Sequence, residues 1–445
     1  MYIIRVVHNY YLTGGLHIFD SRDGFEYKVR VNNSKDPFTS FNLAGHSLRN
    51  TGNTEFPTPI PVPNTRSLVF ANAMVEPVLL PNDIVPKSVA NYVKLYKVQI
   101  NGISVRYADT DGGSQQKLPL VLFLHGWPES WFSYRYQLKE CKNNGFRGVA
   151  PDMRGYGSTT APPRAEQYNV YALAGDAVGL VHRLGYSKCM LVGHDHGAIL
   201  SWKLKLMFPD LFVVLCALSV PYKGRPKLPG LEVMRKSFGN ETDKEHAKFF
   251  YQLHHQLYPQ AAAEYDANTE EALFRIYSMN ADAERNGILH GPEITTDKMY
   301  VDGEPRGWWW RMPRPASLPH WLDEDDFQYY VSEFKRSGFQ GGLFWYVSTN
   351  RRDLDWTLTK HLEDKKVPGP VLFVAGCEDV VLTWSGGKTK VRAMLDDQCL
   401  SLPQYLFVEN CGHWIQQEAF KEVNNCMFTF LKKHRTKVLG HNTKL

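Results

Sequence analysis

The chain has 445 residues, of which 43% are hydrophobic, 22% charged and 13% aromatic, a balance that fits a globular protein and excludes disordered, collagen-like and coiled-coil chains. Its 51 lysines and arginines against 46 aspartates and glutamates leave +5, spread without a basic block, so no nucleic-acid partner is expected. The seven cysteines form no C-x-x-C pair, which favours a reduced, cytoplasmic protein without a zinc site; the apolar start MYIIRVV is too short for a signal core, and no run of about 18 apolar residues suggests a membrane span.

Residues 1–88 are dense in Asn, Ser, Thr, Pro and Gly between 32 and 65 and carry no long periodic segment, so they read as an N-terminal extension of unknown role. From Tyr92 the texture changes. Residues 93–100 and 103–108 flank Asn101-Gly102, a dipeptide that supplies the positive φ angles of a tight hairpin turn. Apolar runs then follow at 118–124, 148–152, 189–193 and 212–220, too continuous for a half-exposed strand and suited to strands buried on both faces. Helical spacing appears between them at 130–141, 167–184 and 198–207. Strand and helix in alternation predict a parallel α/β sheet with right-handed crossovers. The rhythm returns at 370–375, 386–394, 405–408 and 414–433. The expected architecture is a core of residues 89–220 and 351–445, with a helical cap of residues 221–350 inserted after the sixth strand. That insert is rich in Phe, Trp and Tyr, most of which are expected to form its own core.

Gly193-His194-Asp195-His196-Gly197 falls where an apolar strand gives way to a helix. A nucleophile on such an elbow needs small neighbours, because its backbone is strained and the strand and helix approach closely. An aspartate there is ionised at neutral pH without a base, unlike a serine. It is a competent nucleophile towards an sp³ carbon bearing a leaving group. The resulting ester requires water, a histidine to activate it, and backbone donors for the oxyanion. Those donors are expected from His196, which follows the nucleophile, and from the loop His125-Gly126-Trp127-Pro128-Glu129, which follows an earlier strand. Near the C-terminus, Cys411-Gly412-His413-Trp414 places a histidine just after the last strand, and Glu378 and Asp379 end the strand before it.

HGWPE, Arg154-Gly155-Tyr156-Gly157, GHDHG and CGHW, in this order over residues 92–433, together resemble the epoxide hydrolases of the α/β-hydrolase fold. The resemblance implies a catalytic Asp195, a His413 held by Asp379, a cis Trp127–Pro128 peptide, and an oxyanion hole from Trp127 and His196. It also nominates Tyr251 and Tyr346 as acids for the departing alkoxide, although Phe344 stands where the family commonly has asparagine; Phe249, Gln252 and Trp345 are the expected substrate-binding neighbours. Phenols suit this role because they stay protonated at pH 7. Haloalkane dehalogenases share the aspartate nucleophile and are the alternative, weakened because His196 stands where they carry a halide-binding tryptophan. The implied substrate is a small apolar epoxide, with water as co-substrate, no organic cofactor and no metal; a homodimer is a further expectation. His254-His255 has no second ligand pair to make a metal site and reads as surface or core. The extension is too short for the additional phosphatase domain of some animal relatives and has no D-x-D string. Asn32-Asn33-Ser34 and Asn240-Glu241-Thr242 fit the glycosylation triplet, inert in the cytosol. Thr443-Lys444-Leu445 resembles a peroxisomal address, with threonine in place of the preferred first residue.

Overall fold

The computed structural model describes residues 16–21, 24–29, 39–40, 77–80, 85–111, 117–278, 297–312 and 314–439. The C-terminal Thr443-Lys444-Leu445 and the triplet at Asn32 lie outside them. The chain divides into two units between Val75 and Glu76, earlier than the boundary read at residue 88. In the first unit β1 (Leu16–Ser21), β2 (Gly24–Val29) and β3 (Thr39–Ser40) form an antiparallel sheet in that order, with Leu16 opposite Val29 and Ser21 opposite Gly24. No element is expected here from the extension's composition. The signal is nonetheless present in β2, where Phe25, Tyr27 and Val29 alternate with Glu26 and Lys28 at the two-residue period of a strand.

The second unit is built on a 9-stranded sheet. Its strands are β4 (Val78–Leu79), β5 (Lys94–Ile100), β6 (Ile103–Asp109), β7 (Leu120–Leu124), β8 (Arg147–Pro151), β9 (Cys189–His194) and β10 (Phe212–Leu218). After an insert that carries the two-stranded hairpin β11 (Tyr300–Val301) and β12 (Glu304–Pro305), the sheet is completed by β13 (Val371–Gly376) and β14 (Gln404–Val408). The spatial order is β14-β13-β10-β9-β7-β8-β6-β5-β4. The five pairings from β8 through β7, β9, β10 and β13 to β14 are parallel, and β8, β6, β5 and β4 pair antiparallel. Every residue of β7, β9 and β13 is buried, as their uninterrupted apolar sequences require. Asn101 and Gly102 both take positive φ, 47° and 74°, and close the β5–β6 hairpin at the expected place. The insert follows the sixth strand counted from β5, which is the seventh of this sheet because β4 adds an edge.

Helices flank the sheet. In the first half they are α1 (Arg135–Asn143), α2 (Val170–Arg183) and α3 (His196–Met207). Asn169 sets the start of α2 by accepting the Tyr171 and Ala172 amides, a cap worth about 1 kcal/mol. The insert contributes α4 (Gly230–Phe238), α5 (Tyr251–His254), α6 (Tyr258–Ala267), α7 (Thr269–Tyr277), α8 (Trp308–Arg311), α9 (Glu324–Ser337) and α10 (Gln340–Asn350). The chain ends in α11 (Val380–Trp384), α12 (Gly387–Gln398), α13 (Ile415–Glu418), α14 (Phe420–Lys433) and α15 (Thr436–Leu439). No helix among the described residues is long and apolar enough to cross a membrane.

Buried charge and close backbone packing seat the insert on the core. Arg106 of β6, with no exposed surface, pairs with Asp152 at 2.5 Å and with Glu333 of α9. Arg135 of α1 lies 2.8 Å from Asp326 at the start of the same helix. Buried pairs of this kind cost desolvation and are best understood as fixing one docking geometry. At the N-terminus of α10 the backbones of Gly341 and Gly155 touch: a Cβ on Gly341 would sit 2.5 Å from the Gly155 carbonyl oxygen. This contact brings Trp345 and Tyr346, later in α10, over the sheet's C-terminal edge.

Candidate active site

Asp195 sits at the bend between β9 and α3 with φ 51° and ψ −119°, a conformation L-residues rarely adopt. The sharp bend brings α3 so close to β7 that a Cβ on Gly197 would lie 1.9 Å from the Leu124 carbonyl oxygen, and one on Gly193 would lie 2.3 Å from Ser201 Oγ. Gly197→Ala is therefore expected to cost about 3 kcal/mol or more of folding stability, because the obstructing atom is backbone and cannot rotate away. Urea unfolding of the variant checks this; a loss under about 1 kcal/mol would show that the elbow is looser than its geometry implies.

The other groups approach the Asp195 carboxylate from two loops, the start of α3 and the insert. From the HGWPE loop, the Trp127 amide donates to Asp195 Oδ1 at 3.0 Å. The Trp127–Pro128 peptide is cis, as the resemblance implied. His196 is the first residue of α3, where helix amides have no partner within the helix, so its N–H is the second donor available at the elbow. From the loop after β14, His413 places Nε2 3.6 Å from Asp195 Oδ2 and Nδ1 3.0 Å from both oxygens of Asp379. Of the two acids that end β13, Asp379 is thus the one at the imidazole, and it is fully buried. From the insert, the rings of Tyr251 and Tyr346 meet edge to face at 5.9 Å, and both sense the Asp195 charge.

The electrostatics follow from this crowding. Burial alone would disfavour a charged Asp195, but the nearby imidazoles of His413, His196 and His194 hold its carboxyl well below the usual range. Burial likewise opposes a charged His413, and the Asp379 and Asp195 carboxylates outweigh it, raising the imidazole well above its ordinary value. Burial first, and the Asp195 charge as well, push both phenols up, so they remain proton donors across the neutral range.

The expected substrate-binding residues divide. Gln252 donates from Nε2 to the Tyr251 oxygen at 2.9 Å, which leaves the phenol's own proton free to point elsewhere. Trp345 is buried beside the His196 ring at 6.0 Å and donates Nε1–H to the Arg154 carbonyl at 3.1 Å. Phe249 differs: its ring lies under the Arg311 guanidinium at 4.0 Å and near His254 at 6.4 Å, away from the groups that meet at Asp195. Trp308 and Trp384, not singled out as site residues, instead sandwich the Tyr251 ring at 4.8 and 6.2 Å.

Supporting groups were also missed. Glu129 of HGWPE accepts the Gly126 amide and His194 Nδ1, both at 2.7 Å, through one oxygen and Gln416 at 2.7 Å through the other, while His194 Nε2 lies 2.8 Å from the His413 carbonyl. This buried relay ties the oxyanion loop, the elbow and the His413 loop together. Glu418 clamps that last loop by accepting the Gly412 and Trp414 amides, each at 2.7 Å. The presence of Glu129 and His194 inside the quoted motifs was the only signal of the relay. His254 and His255 are both fully buried, so of the two readings offered for them the core one applies. No group of three or more His, Cys, Asp or Glu among the described residues is disposed to hold a metal.

Residues 119–420 match the family model of the alpha/beta hydrolase fold. The chain is 33% identical over 337 residues to epoxide hydrolase A of Mycobacterium tuberculosis, covering 75% of this chain and 96% of that one. It is 30% identical to bifunctional epoxide hydrolase 2 of Sus scrofa over 80% of this chain and 58% of the relative. The crystal structure of epoxide hydrolase A from Mycobacterium thermoresistibile superposes with a TM-score of 0.66 at 31% identity, over 76% of this chain and 98% of that one. The chain is an α/β-hydrolase and belongs, within that fold, to the epoxide hydrolase family.

Proposed function

We propose that this enzyme converts epoxides to vicinal diols through a covalent ester on Asp195. The observation that carries the reading is the meeting at one carboxylate of an amide donor from Trp127 and the imidazole of His413, with the Tyr346 ring against His196 next to the elbow and the Tyr251 ring against Tyr346. In the first half-reaction the Asp195 carboxylate attacks an oxirane carbon, the carbon–oxygen bond breaks, and Tyr251 and Tyr346 donate to the leaving oxygen. The carboxylate needs no base, since it is already ionised. Esterification removes its negative charge, and with it part of what keeps His413 protonated, so the imidazole becomes a base once the intermediate exists. Oriented by Asp379, His413 takes a proton from water, which attacks the ester carbonyl. The Trp127 and His196 amides stabilise the oxyanion; as the acyl carbon–oxygen bond breaks, the departing oxygen takes the remaining proton of the attacking water, the proton on His413 returns to the phenolate left by the first step, and the diol leaves a restored carboxylate.

Acid catalysis of this kind typically contributes about 10²–10⁴-fold. Tyr251→Phe or Tyr346→Phe alone is expected to slow ester formation by about 10- to 100-fold, since the second phenol remains, and the double variant by about 10⁴-fold. Rapid-quench measurement of ester formation checks this, and a double variant that still forms ester at the wild-type rate would remove the phenols from the mechanism. The same pair favours an epoxide over a haloalkane, because a halide leaves without a proton. Release of halide from a haloalkane, without diol formation from styrene oxide, would instead favour the dehalogenase reading.

A further inference from the structure

One titratable group packed against the two phenols has no part in this scheme. His255 begins the short 3-10 turn His255–Leu257 directly after α5, and its side chain is fully buried. Its ring stands edge-on to Tyr346 at 4.6 Å, to Trp127 at 4.8 Å and to Tyr251 at 5.5 Å, three residues that surround the oxirane in the proposed reaction. Nε2 lies 3.1 Å from the Tyr265 hydroxyl. The phenol carries a proton that it can give to Nε2. With Nε2 as acceptor, a neutral imidazole carries its proton on Nδ1. Burial, with the neighbouring His254 and His196, holds the ring neutral, well below the ordinary histidine range. Nδ1 is buried and has no hydrogen-bond partner among the described residues. Buried donors are nearly always paired, and one left open among reacting groups calls for an explanation.

We infer that His255 is a specificity-determining residue: its Nδ1–H supplies a third hydrogen bond, beside the two phenols, to an acceptor oxygen carried on the substrate close to the oxirane. The preferred substrates are then epoxides bearing an ether, hydroxyl or carbonyl oxygen near the ring, rather than hydrocarbon epoxides. This rests on the epoxide hydrolase reading and narrows its substrate class. A site that hydrogen-bonds a substrate group discriminates against an analogue lacking it because the donor is then left buried and unpaired.

The test compares butyl glycidyl ether with hexyloxirane, its isostere with a methylene in place of the ether oxygen. The ratio of their kcat/KM values is taken for the wild type and for His255→Phe, which fills the space without the donor. The ratio is expected to fall on the order of tenfold in His255→Phe and to be recovered in part by His255→Gln, which restores an N–H. Tyr265→Phe, which frees Nε2 to hold the proton, is expected to lower it to an intermediate value and decides the matter should His255→Phe not fold. A ratio equal in the wild type and these variants would overturn the inference while leaving epoxide hydrolysis intact. Consumption of neither compound, nor of any other epoxide, by the wild type would instead be a failure of the underlying reading.

Discussion

Replacing Asp195 by alanine is expected to reduce diol formation by about 10⁴-fold or more, the range seen when a covalent nucleophile is removed and only binding and oxyanion donors remain. The size of the effect follows from the site's construction. The Trp127 amide and His413 both reach one carboxylate, and both phenols sense its charge. Steady-state assay by chromatography of the diol measures the loss; activity within tenfold of wild type would transfer the chemistry to another group. The same position separates strain from catalysis. At φ 51° and ψ −119° the backbone is held where glycine alone is comfortable, a conformation that costs on the order of 1–3 kcal/mol. Asp195→Gly is therefore expected to be as inactive as the alanine variant, yet more resistant to urea than the alanine variant, showing that the elbow stores strain for the sake of the side chain it presents.

His413→Gln is expected to stop the cycle halfway. Ester formation needs the two phenols and an ionised Asp195, and an aspartate is ionised at neutral pH even without the help of His413, whereas ester hydrolysis needs a base. Addition of an epoxide should give a burst of about one equivalent, followed by steady-state turnover lower by about 10³-fold or more, with intact-mass spectra heavier by one epoxide. An unmodified mass with normal turnover would contradict the assignment. The pH dependence has a definite sign. In the resting enzyme the Asp379 and Asp195 carboxylates raise His413, and this contact stabilises the fold below the imidazole's unfolded pKa near 6.5, the contribution being lost as pH rises through the higher folded value. Asp195 behaves oppositely: its depressed pKa contributes stability above about 3.9 that is lost as pH falls through the folded value.

How much of this the sequence carried depends on how local each signal was. The strands that hold the site were legible because β7, β9 and β13 are buried on both faces and read as continuous apolar runs. Asp195 was legible because it follows such a run at a glycine-marked bend, and His413 because Gly412 precedes it just after the last apolar run, β14. Trp384 was not, since its contact with Tyr251 is created by the docking of the insert and leaves no trace in either local pattern. The same holds for the Arg106–Glu333 pair and for Glu418, whose roles depend on partners that only the fold brings near. Phe249 shows the converse limit: its neighbour Phe250 packs towards Phe238 and Trp384 while Phe249 itself turns to Arg311, so proximity in sequence to Tyr251 did not mean proximity to the reacting carboxylate. In the N-terminal unit β1 and β2 are short and precede a stretch dense in Asn, Ser, Thr, Pro and Gly, and the composition of the whole extension outweighed the alternation within β2.

The most direct measurement is the fate of solvent oxygen. During many turnovers in oxygen-18 water, hydrolysis of an aspartyl ester at its own carbonyl must place the heavy isotope in the Asp195 carboxylate, and the peptide spanning it should gain mass after digestion. A peptide that stays at natural mass, while labelled diol accumulates, would mean that water attacks the epoxide directly and that no bond to Asp195 is ever made.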